Sequence, residues 1–382
     1  MSSASPVVII GGGVMGSSTA WHLATDPNFD GKVVVIERDP TYARASSALS
    51  ASSIRQQFST PLNIHLSRYG LSVLRRAPEL LGVDLGLKEP GYLFLGTTAG
   101  EAVLRANHAI QKGEGCAVEL LDADALRRRF PWMSTDGVTL ASHGVANEGW
   151  FDGPALMQAF RRKAREAGVT YVADEVVGLA QDFVVLRDGG RLAARTIVLA
   201  AGPWSGAVAA LAGIALPVEP RRRSVFVFDV REPPGVTPLT IDPSGTWFRP
   251  EGRFYIGGTT PADGNDPGGA PLEVQHQEWD EMVWPVLAAR VPAFEAAKVV
   301  NSWAGYYEYN TFDQNGIVGR HPAMENLVFA TGFSGHGIQQ SPAIGRAVAE
   351  LIVHGSYRTL DLTPFGYERL SAGRPIRELN VV

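Results

Sequence analysis

The sequence predicts an α/β protein of two domains, one built on a parallel sheet and the other on a mixed, largely antiparallel sheet. Three short apolar runs, Val7–Ile10, Thr196–Ala201 and Asn326–Thr331, lead directly into glycine, as buried parallel strands do where they turn into a helix. The region from 217 to 315 instead contains successive short strands that are rich in aromatic residues. A length of 382 residues is too great for one compact core and suits two domains.

The first of these strands runs into a glycine motif of the form G-x-G-x-x-G, at Gly11, Gly13 and Gly16. Gly11 permits the tight turn, Gly13 lets the backbone approach a pyrophosphate, and Gly16 lets the following helix pack close to the strand. That helix, Val14–Ala24, directs its free N–H groups and the positive end of its dipole at the phosphates. The motif therefore indicates a Rossmann-like domain that binds a dinucleotide.

A second strand, Lys32–Ile36, ends in Glu37, about 20 residues beyond the motif, where an acid accepts hydrogen bonds from an adenosine ribose. This context favours dinucleotide binding over a purely structural glycine-rich turn. The acid also argues against NADP, because it would repel the additional phosphate. Arg38 directly after it keeps that alternative open.

The composition is that of an ordinary globular protein, with 45% hydrophobic and 19% charged residues. The formal net charge of -5 argues against a nucleic-acid surface. Two basic runs, Arg127–Arg129 and Arg221–Arg223, are therefore interpreted as solvated faces rather than as polyanion sites.

A single cysteine, Cys116, excludes an internal disulfide and a cysteine zinc cluster, and no metal site is expected. No apolar run approaches the ~18 residues that span a membrane, so no membrane span is expected. Residues 1–6 have neither the basic nor the apolar region of a signal peptide, and the expected location is the cytoplasm.

Changes in the pattern of predicted strands and helices along the chain divide it into discontinuous domains. Segments 1–85, 150–215 and 315–382 are assigned to the nucleotide-binding domain, and segments 86–149 and 216–314 to the substrate-binding domain. Within the latter, the pattern predicts one helix, Leu272–Ala289, with Pro285 inside it.

Further stretches of small residues are predicted to contact the same cofactor. They are the hydroxyl-rich segment 38–53 and the turns at 200–205 and 332–340. Free N–H groups at the start of the helix near 337 would stabilise an anionic group; in a flavoprotein, that group would be the pyrimidine end of the reduced ring. A flexible loop and ordinary strand-to-helix turns are the structural alternatives.

Together, the glycine motif with Glu37, the run Ala200–Trp204 and the run Gly332–Gly337 resemble the D-amino-acid oxidase-type FAD oxidoreductases, nearly end to end. This superfamily includes sarcosine oxidase, glycine oxidase and dimethylglycine dehydrogenase. Residues 304–316 are similar to the branch of a mitochondrial FAD-dependent oxidoreductase domain-containing protein linked to complex I assembly. The resemblance implies that FAD accepts a hydride from the carbon next to an amine nitrogen, giving an imine that water hydrolyses.

Departures from the family pattern refine this expectation. Covalent flavin in the family is linked through a cysteine near the end of the substrate sheet, and residues 306–309 contain none, so non-covalent FAD is expected unless a histidine forms the link. Sarcosine oxidases hold the substrate carboxylate with an arginine and a lysine; here Arg55 remains, Phe58 replaces a second arginine and Gln339 stands at the lysine position. They also place a lysine over the flavin to activate oxygen, where this chain has Phe254 or Tyr255. A dehydrogenase that passes electrons to a quinone or a protein acceptor is therefore favoured over an oxidase.

The resemblance implies a set of residues for each role. The residues expected to hold FAD are Gly11, Gly13, Val14, Met15, Gly16, Glu37, Arg38, Ser46, Ser47, Ser50, Ser52, Val176, Ala201, Gly202, Trp204, Gly305, Gly332, Gly335, His336, Gly337, Ile338 and Gln339. The candidate catalytic residues are Arg55, Tyr255, Tyr307, His336 and Gln339. The expected substrate is a small amine or amino acid, and the oligomeric state stays open.

Two other functions are compatible with these residues. One is a flavin-binding assembly or scaffold protein with little turnover, which apolar closure around Arg55 or Arg249 would favour. The other is a 2-hydroxy-acid oxidoreductase of the same fold, which requires a base near the flavin that the sequence does not assign.

Overall fold

The computed structural model describes residues 5–261, 266 and 268–379. Its strands, numbered along the chain, are β1 (Val7–Ile10), β2 (Val33–Glu37), β3 (Ser53–Ile54), β4 (Tyr92–Gly96), β5 (Val118–Asp122), β6 (Leu140–Gly144), β7 (Gly149–Trp150), β8 (Thr170–Ala173), β9 (Val176–Leu179), β10 (Phe183–Leu186), β11 (Arg191–Ala193), β12 (Thr196–Leu199), β13 (Val218–Asp229), β14 (Leu239–Ile241), β15 (Trp247–Glu251), β16 (Phe254–Gly258), β17 (Lys298–Asn310), β18 (Ile317–His321) and β19 (Met324–Thr331). Its α-helices are α1 (Val14–Thr25), α2 (Pro61–Arg75), α3 (Ala77–Leu80), α4 (Glu101–Gly113), α5 (Ala123–Arg129), α6 (Gly153–Glu166), α7 (Ser205–Ala210), α8 (Trp284–Arg290), α9 (Gly337–His354) and α10 (Glu368–Ser371). Short 3₁₀ turns lie at Gly202–Trp204, Pro292–Phe294 and Thr363–Phe365.

A six-stranded sheet in the order β18-β19-β12-β1-β2-β8 holds the predicted nucleotide motif. Strands β19, β12, β1, β2 and β8 run parallel to one another, and β18 pairs antiparallel at the edge. All four residues of β1 are buried, because helices α1, α6 and α9 cover one face of the sheet, whereas the small antiparallel sheet β11-β10-β9 and α7 cover the other. The fold class predicted from the apolar runs is thereby confirmed for this sheet.

The turn between β1 and α1 accepts only glycine at two of its positions. Gly11 has φ +100°, and a Cβ there would lie 2.3 Å from the carbonyl oxygen of Ala200 at the end of β12. A Cβ at Gly16 would lie 1.9 Å from the carbonyl oxygen of Gly11, so glycine lets α1 start close to the strand. Helix α1 then packs against α6 and α9, where Gly345 approaches Ser18.

An eight-stranded sheet in the order β17-β13-β16-β15-β14-β4-β6-β5 forms the other half of the molecule. It is antiparallel throughout except for the parallel pair β14 and β4. Strands β13 and β17 pair from Val218 and Asn310 to Asp229 and Lys298, so both are longer than the sequence pattern predicted. The mixed, largely antiparallel second sheet is thus confirmed.

The helix predicted for Leu272–Ala289 is wrong at its start. The chain becomes helical only from Gln277, and a π-helical turn at Trp279–Val283 leads into α8. Pro285 lies in the first turn of α8, directly after this π-helical turn. The proline is therefore inside a continuous helical run, as predicted, at the junction between the π-helical and the α-helical turns.

The side chain of Thr60, the N-cap residue of α2, makes no capping hydrogen bond. The carboxylate of Glu378, near the other end of the chain, accepts hydrogen bonds from the backbone N–H groups of Ser59 (2.6 Å) and Thr60 (3.1 Å) and from Asn63 Nδ2 (2.6 Å). It thereby supplies the cap that the local sequence lacks. Helix α2 in turn holds the backbone of Arg55, because Ser67 donates to the Arg55 carbonyl.

The two sheets draw on different parts of the chain. The six-stranded sheet takes its strands from segments 1–85, 150–215 and 315–382, and the eight-stranded sheet takes its strands from 86–149 and 216–314. The domain boundaries themselves stay a prediction. Within the ranges that the structure describes, no helix combines the length and the apolar character needed to cross a membrane.

Candidate active site

A cavity of about 640 Å³ is lined by residues from both sheets. One part of its wall comes from the carboxyl ends of β1, β2 and β12, as expected for a ligand site in a sheet of this type. The opposite part comes from β13 and β17 of the larger sheet. The predicted cofactor residues that line it are Gly11, Gly13, Val14, Met15, Glu37, Arg38, Ser46, Ser47, Ser50, Ser52, Val176, Ala201, Gly202, Trp204, Gly305, Gly335, Gly337 and Ile338.

Glu37 occupies the end of the cavity beside the glycine motif. Its carboxylate accepts hydrogen bonds from the backbone N–H groups of Gly12 (2.8 Å) and Asp39 (2.9 Å), which hold it in place at the end of β2. Next to it, the Arg38 guanidinium lies 3.8 Å from the ring centroid of Trp204, forming a flat cation–π pair on the cavity wall.

The serine segment after β2 closes over the start of α1. Ser47 Oγ accepts a hydrogen bond from the backbone N–H of Val14 (3.3 Å). Ser46 Oγ is buried on the cavity wall, and it has no hydrogen-bond partner among the described residues. A buried hydroxyl of this kind indicates a missing ligand partner, because unsatisfied buried polar groups are costly.

The opposite wall is built from the paired strands β13 and β17. Tyr307, a candidate catalytic residue, lines the cavity there and leaves no space for a side chain at Gly335, where a Cβ would lie 2.5 Å from the Tyr307 ring. Gly335 has φ +94°, so glycine is required at this position on both counts.

Glu308 is a cavity-lining residue that the sequence analysis did not select. Its Oε2 accepts hydrogen bonds from Thr331 Oγ1 (3.1 Å) and from the backbone N–H of Gly332 (3.3 Å). Its Oε1 lies beside Gly337, the first residue of α9. Burial raises the pKa of Glu308 to about 7, against the opposing effect of these hydrogen bonds. An acid within the aromatic run of residues 306–309 was the only sequence signal for it.

Arg55, His336 and Gln339 meet behind the cavity wall instead of lining it. Arg55 Nη2 lies 2.9 Å from His336 Nε2, and Gln339 Oε1 accepts from the Arg55 backbone N–H (2.9 Å). Burial, together with the nearby Arg55 charge, lowers the pKa of His336 to about 3. The imidazole is therefore neutral, and its Nε2 accepts the hydrogen bond from Arg55.

Aromatic rings enclose the Arg55 guanidinium, which lies 4.7 Å from the ring centroid of Phe58, 5.7 Å from that of Tyr92 and 5.2 Å from that of Phe94. Its Nη1 has no hydrogen-bond partner within the described residues. The other cationic candidate, Arg249, is also occupied, because it forms an ion pair with Glu251 and donates to the Ala51 carbonyl (2.7 Å).

A second buried acid, Glu148, supports the segment that carries Arg55. Its carboxyl group accepts hydrogen bonds from the backbone N–H of Gln56 (2.6 Å) and from Gln57 Nε2 (2.7 Å). Burial raises the pKa of Glu148 to about 7. Glu148 does not line the cavity, and the sequence analysis did not single it out.

Besides Arg55, His336 and Gln339, three further predicted site residues do not line the cavity. The placement of Tyr255 at the pocket is wrong, because its ring packs in an aromatic core, 5.7 Å from Phe228 and 4.9 Å from Phe294 between centroids. Gly16 and Gly332 stand behind the wall, where each permits close backbone packing. The solvated-face interpretation of Arg221–Arg223 is also wrong at one position, because Arg223 lines the cavity.

Comparison with known proteins assigns the chain to a family. Residues 6–351 match the family model DAO, described as FAD dependent oxidoreductase. The chain belongs to the DAO family of FAD-dependent oxidoreductases. The resemblance predicted from the glycine motif, Ala200–Trp204 and Gly332–Gly337 is thereby confirmed.

Relatives and solved structures agree with this assignment. The chain is 47% identical to FAD-dependent oxidoreductase domain-containing protein 1 of Xenopus laevis, over 98% of this chain and 84% of that protein. It is 29% identical to a glycine oxidase of Geobacillus kaustophilus, over 95% of this chain and 96% of that protein. The crystal structure of L-proline dehydrogenase from P. horikoshii matches with a TM-score of 0.86 at 26% identity, covering 98% of this chain and 100% of that chain.

The cavity of this DAO-family protein fits FAD. The turn at Gly11 and Gly13 is open to a pyrophosphate, Glu37 stands where a ribose binds, and the orphaned Ser46 hydroxyl faces the same space. Cys116 lies outside the cavity in a small apolar cluster, and burial raises the pKa of its thiol to about 11. The residues that line the cavity would therefore hold FAD without a cysteine link.

Proposed function

We propose that this protein is an amine or amino-acid oxidoreductase that takes a hydride from the carbon next to the substrate nitrogen. The resulting imine is hydrolysed by water. The observation that supports this function best is the half-buried carboxyl group of Glu308, on the cavity wall beside the start of α9. A carboxylate at that position attracts the ammonium group of an amine and accepts its proton.

FAD would be held by the glycine turn, Glu37, the serine segment and the start of α9. When bound, it supplies the hydride-accepting ring that the side chains of this chain lack. Tyr307 and Gly335 shape the wall against which a flat ring and an organic substrate would stack.

A proton acceptor is required because amines are protonated near neutral pH, and an ammonium group has no lone pair to stabilise the product imine. Glu308 has a pKa of about 7, so a large fraction of it is ionised at neutral pH and can accept the proton. Its Oε2 accepts hydrogen bonds from Thr331 and Gly332, and its Oε1 lies beside Gly337 at the start of α9, so the carboxyl group is held in place on the cavity wall.

The electrons are proposed to pass to a quinone or a protein acceptor rather than to oxygen. In the sarcosine oxidases that the sequence resembles, a lysine over the flavin activates oxygen. No lysine lines the cavity in the part of the chain that the structure describes. This difference supports slow reaction of the reduced protein with air.

Anaerobic flavin bleaching tests the proposal. The holoprotein is mixed without oxygen with secondary amines, N-methyl and N-carboxyalkyl amino acids, D-amino acids and 2-hydroxy acids. Bleaching of the flavin absorption by a nitrogen compound is expected, followed by slow recovery in air. Bleaching by 2-hydroxy acids alone would contradict the proposal and show that the protein oxidises a carbon that carries a hydroxyl group rather than an amine.

A flavin-binding scaffold with little turnover is the second candidate. It is favoured by the closure around Arg55 and Arg249, neither of which offers its cation to the cavity. Tight FAD binding with no bleaching by any compound in the panel would support this function over the first.

A further inference from the structure

One cation lies on the cavity wall away from the nucleotide. Within the described residues, the arginines that line the cavity are Arg38, Arg44 and Arg223. Arg38 and Arg44 belong to the segment that follows Glu37. Arg223 instead lies on β13, opposite Gly305 of β17, in the wall that also carries Tyr307 and Glu308.

The Arg223 guanidinium is already shaped for a carboxylate. Its Nη1 and Nη2 donate to the two carboxylate oxygens of Asp266, at 2.8 and 2.9 Å. The central carbon of the guanidinium, Cζ, lies 5.0 Å from the ring centroid of Tyr307. This cation–π contact helps to fix the position of the guanidinium. Only 11% of the Arg223 side chain is exposed, and its Nε is buried without a hydrogen-bond partner in the described part of the chain. Paired, parallel hydrogen bonds of this kind are the strongest and most specific way in which arginine recognises a carboxylate.

Asp266 has a second cation available if it leaves Arg223. Its Oδ2 lies 3.9 Å from Nη1 of Arg221, which also pairs with Glu219, and the Asp266 side chain is 21% exposed. Displacement by a ligand carboxylate would therefore leave neither Arg223 nor Asp266 without an opposite charge. Such an exchange avoids the large penalty of an unpaired buried charge.

We propose that Arg223 is the group that recognises the substrate carboxylate and that Asp266 occupies its place until the substrate binds. The ligand class is a carboxylate that also carries an amine, with its carboxylate toward Arg223 and the ring of Tyr307 beside it. This assignment rests on the proposed function for the identity of the amine, whereas carboxylate recognition by Arg223 is tested independently of it.

Ligand binding to the FAD-loaded protein provides the test. Matched pairs of probes, acetate with acetamide and benzoate with benzamide, are titrated while the visible flavin spectrum is recorded. We expect Arg223→Gln to weaken carboxylate binding by about 10- to 100-fold and to leave carboxamide binding unchanged. Arg222→Gln, the neighbour on β13 whose side chain contacts the Pro271 carbonyl instead, is the matched control and should change neither. Equal carboxylate affinity in Arg223→Gln and in the unmodified protein would overturn the proposal.

Asp266→Asn tests whether Asp266 competes with a ligand carboxylate for Arg223. It also tests the proposal if Arg223→Gln fails to retain FAD. Removal of the internal carboxylate should tighten carboxylate binding several-fold, by roughly the strength of a partly exposed ion pair. Unchanged or weaker binding would show that Asp266 does not compete with a ligand. If carboxylates bind through Arg223 but no amine bleaches the flavin, the role of Arg223 in carboxylate binding is supported and the proposed amine oxidation is contradicted.

Discussion

Glu308 carries an unusual combination of contacts for an acid in a redox cavity. Two hydrogen-bond donors fix one of its oxygens, while the surrounding burial disfavours its charge strongly enough to place its pKa at about 7. A carboxyl group with this pKa is balanced between its two forms at neutral pH. That balance suits a residue that must receive a proton and release it again in every cycle.

Glu308→Gln should lower the rate of anaerobic flavin reduction by about 100-fold at pH 7, because an amide cannot accept the ammonium proton. In the unmodified protein, the rate at saturating substrate should rise with pH through an inflection near 7, as Glu308 loses its own proton. The variant should lack that inflection. The difference in reduction rate between the variant and the unmodified protein should become smaller near pH 10, where the solution supplies neutral amine directly. Stopped-flow absorbance measures both profiles.

Glu148→Gln is the matched control for this experiment. Burial raises the pKa of Glu148 to the same value, about 7, but its side chain lies outside the cavity. The inflection near pH 7 should survive in this variant. Loss of the inflection in Glu148→Gln, or its survival in Glu308→Gln, would contradict the role assigned to Glu308.

At the scale of elements, two glycines of the turn between β1 and α1 serve different purposes, one for folding and one for binding. A Cβ at Gly11 would collide with the Ala200 backbone, so this glycine serves the fold itself. Gly13 has an ordinary extended conformation, with φ -62° and ψ -171°. A Cβ there would lie 3.4 Å from Ser47 Oγ, which is a normal contact.

Gly13→Val should therefore fold and bind FAD at least about tenfold more weakly, because its side chain takes space on the cavity wall. Gly11→Val should fail to fold, since it adds a clash to a φ of +100°. The ratio of flavin to protein absorbance and far-UV circular dichroism distinguish the two results. Gly113→Ala, at the end of α4 with nothing within 4 Å, is the control. Full FAD content in Gly13→Val would remove the pyrophosphate role of this turn.

At the scale of the whole molecule, the architecture was predictable because its signals are local. Buried parallel strands are apolar along their length and end in glycine, and Glu37 has a fixed spacing from the motif. The wall of the cavity was less predictable, because it depends on pairing between distant strands. The register that places Arg223 opposite Gly305 brings Arg223 and Tyr307 to one face of the strand pair, beside the cavity.

The aromatic residues show the same limit of prediction from sequence. Tyr255 and Tyr307 lie on different strands of one sheet, and the sequence offered the same reasons to place both in the pocket. Tyr255 packs into the core beside Phe228, whereas Tyr307 faces the cavity. The direction of each ring follows from the assembled sheet, since successive residues of a strand point to opposite faces.

Glu148 links the two halves of the molecule. It precedes β7, pairs with the backbone of Gln56 and the side chain of Gln57, and so ties the Arg55 segment to the strands around β6. Because its pKa is raised to about 7 from an ordinary value near 4.5, the folded state holds this proton more tightly than the unfolded state does. Raising the pH from 4.5 to 7 therefore destabilises the folded protein through this group.

Glu148→Gln removes this pH dependence. The stability of the variant relative to the unmodified protein should increase between pH 5 and pH 8, by up to about 3 kcal/mol, in urea unfolding of both proteins with excess FAD. His336 contributes the opposite slope, since its lowered pKa of about 3 costs stability as the pH falls below 6.5, but it does so equally in both proteins and cancels. Glu79→Gln is the flat control: Arg76 lowers the pKa of that exposed acid, so Glu79 is ionised in the folded and the unfolded state above pH 5 and its replacement should add no pH dependence in this window. A difference between Glu148→Gln and the unmodified protein that stays constant from pH 5 to pH 8 would mean that Glu148 is ionised throughout. The segment of Gln56 and Gln57 would then be held by a charged contact rather than by a neutral carboxylic acid.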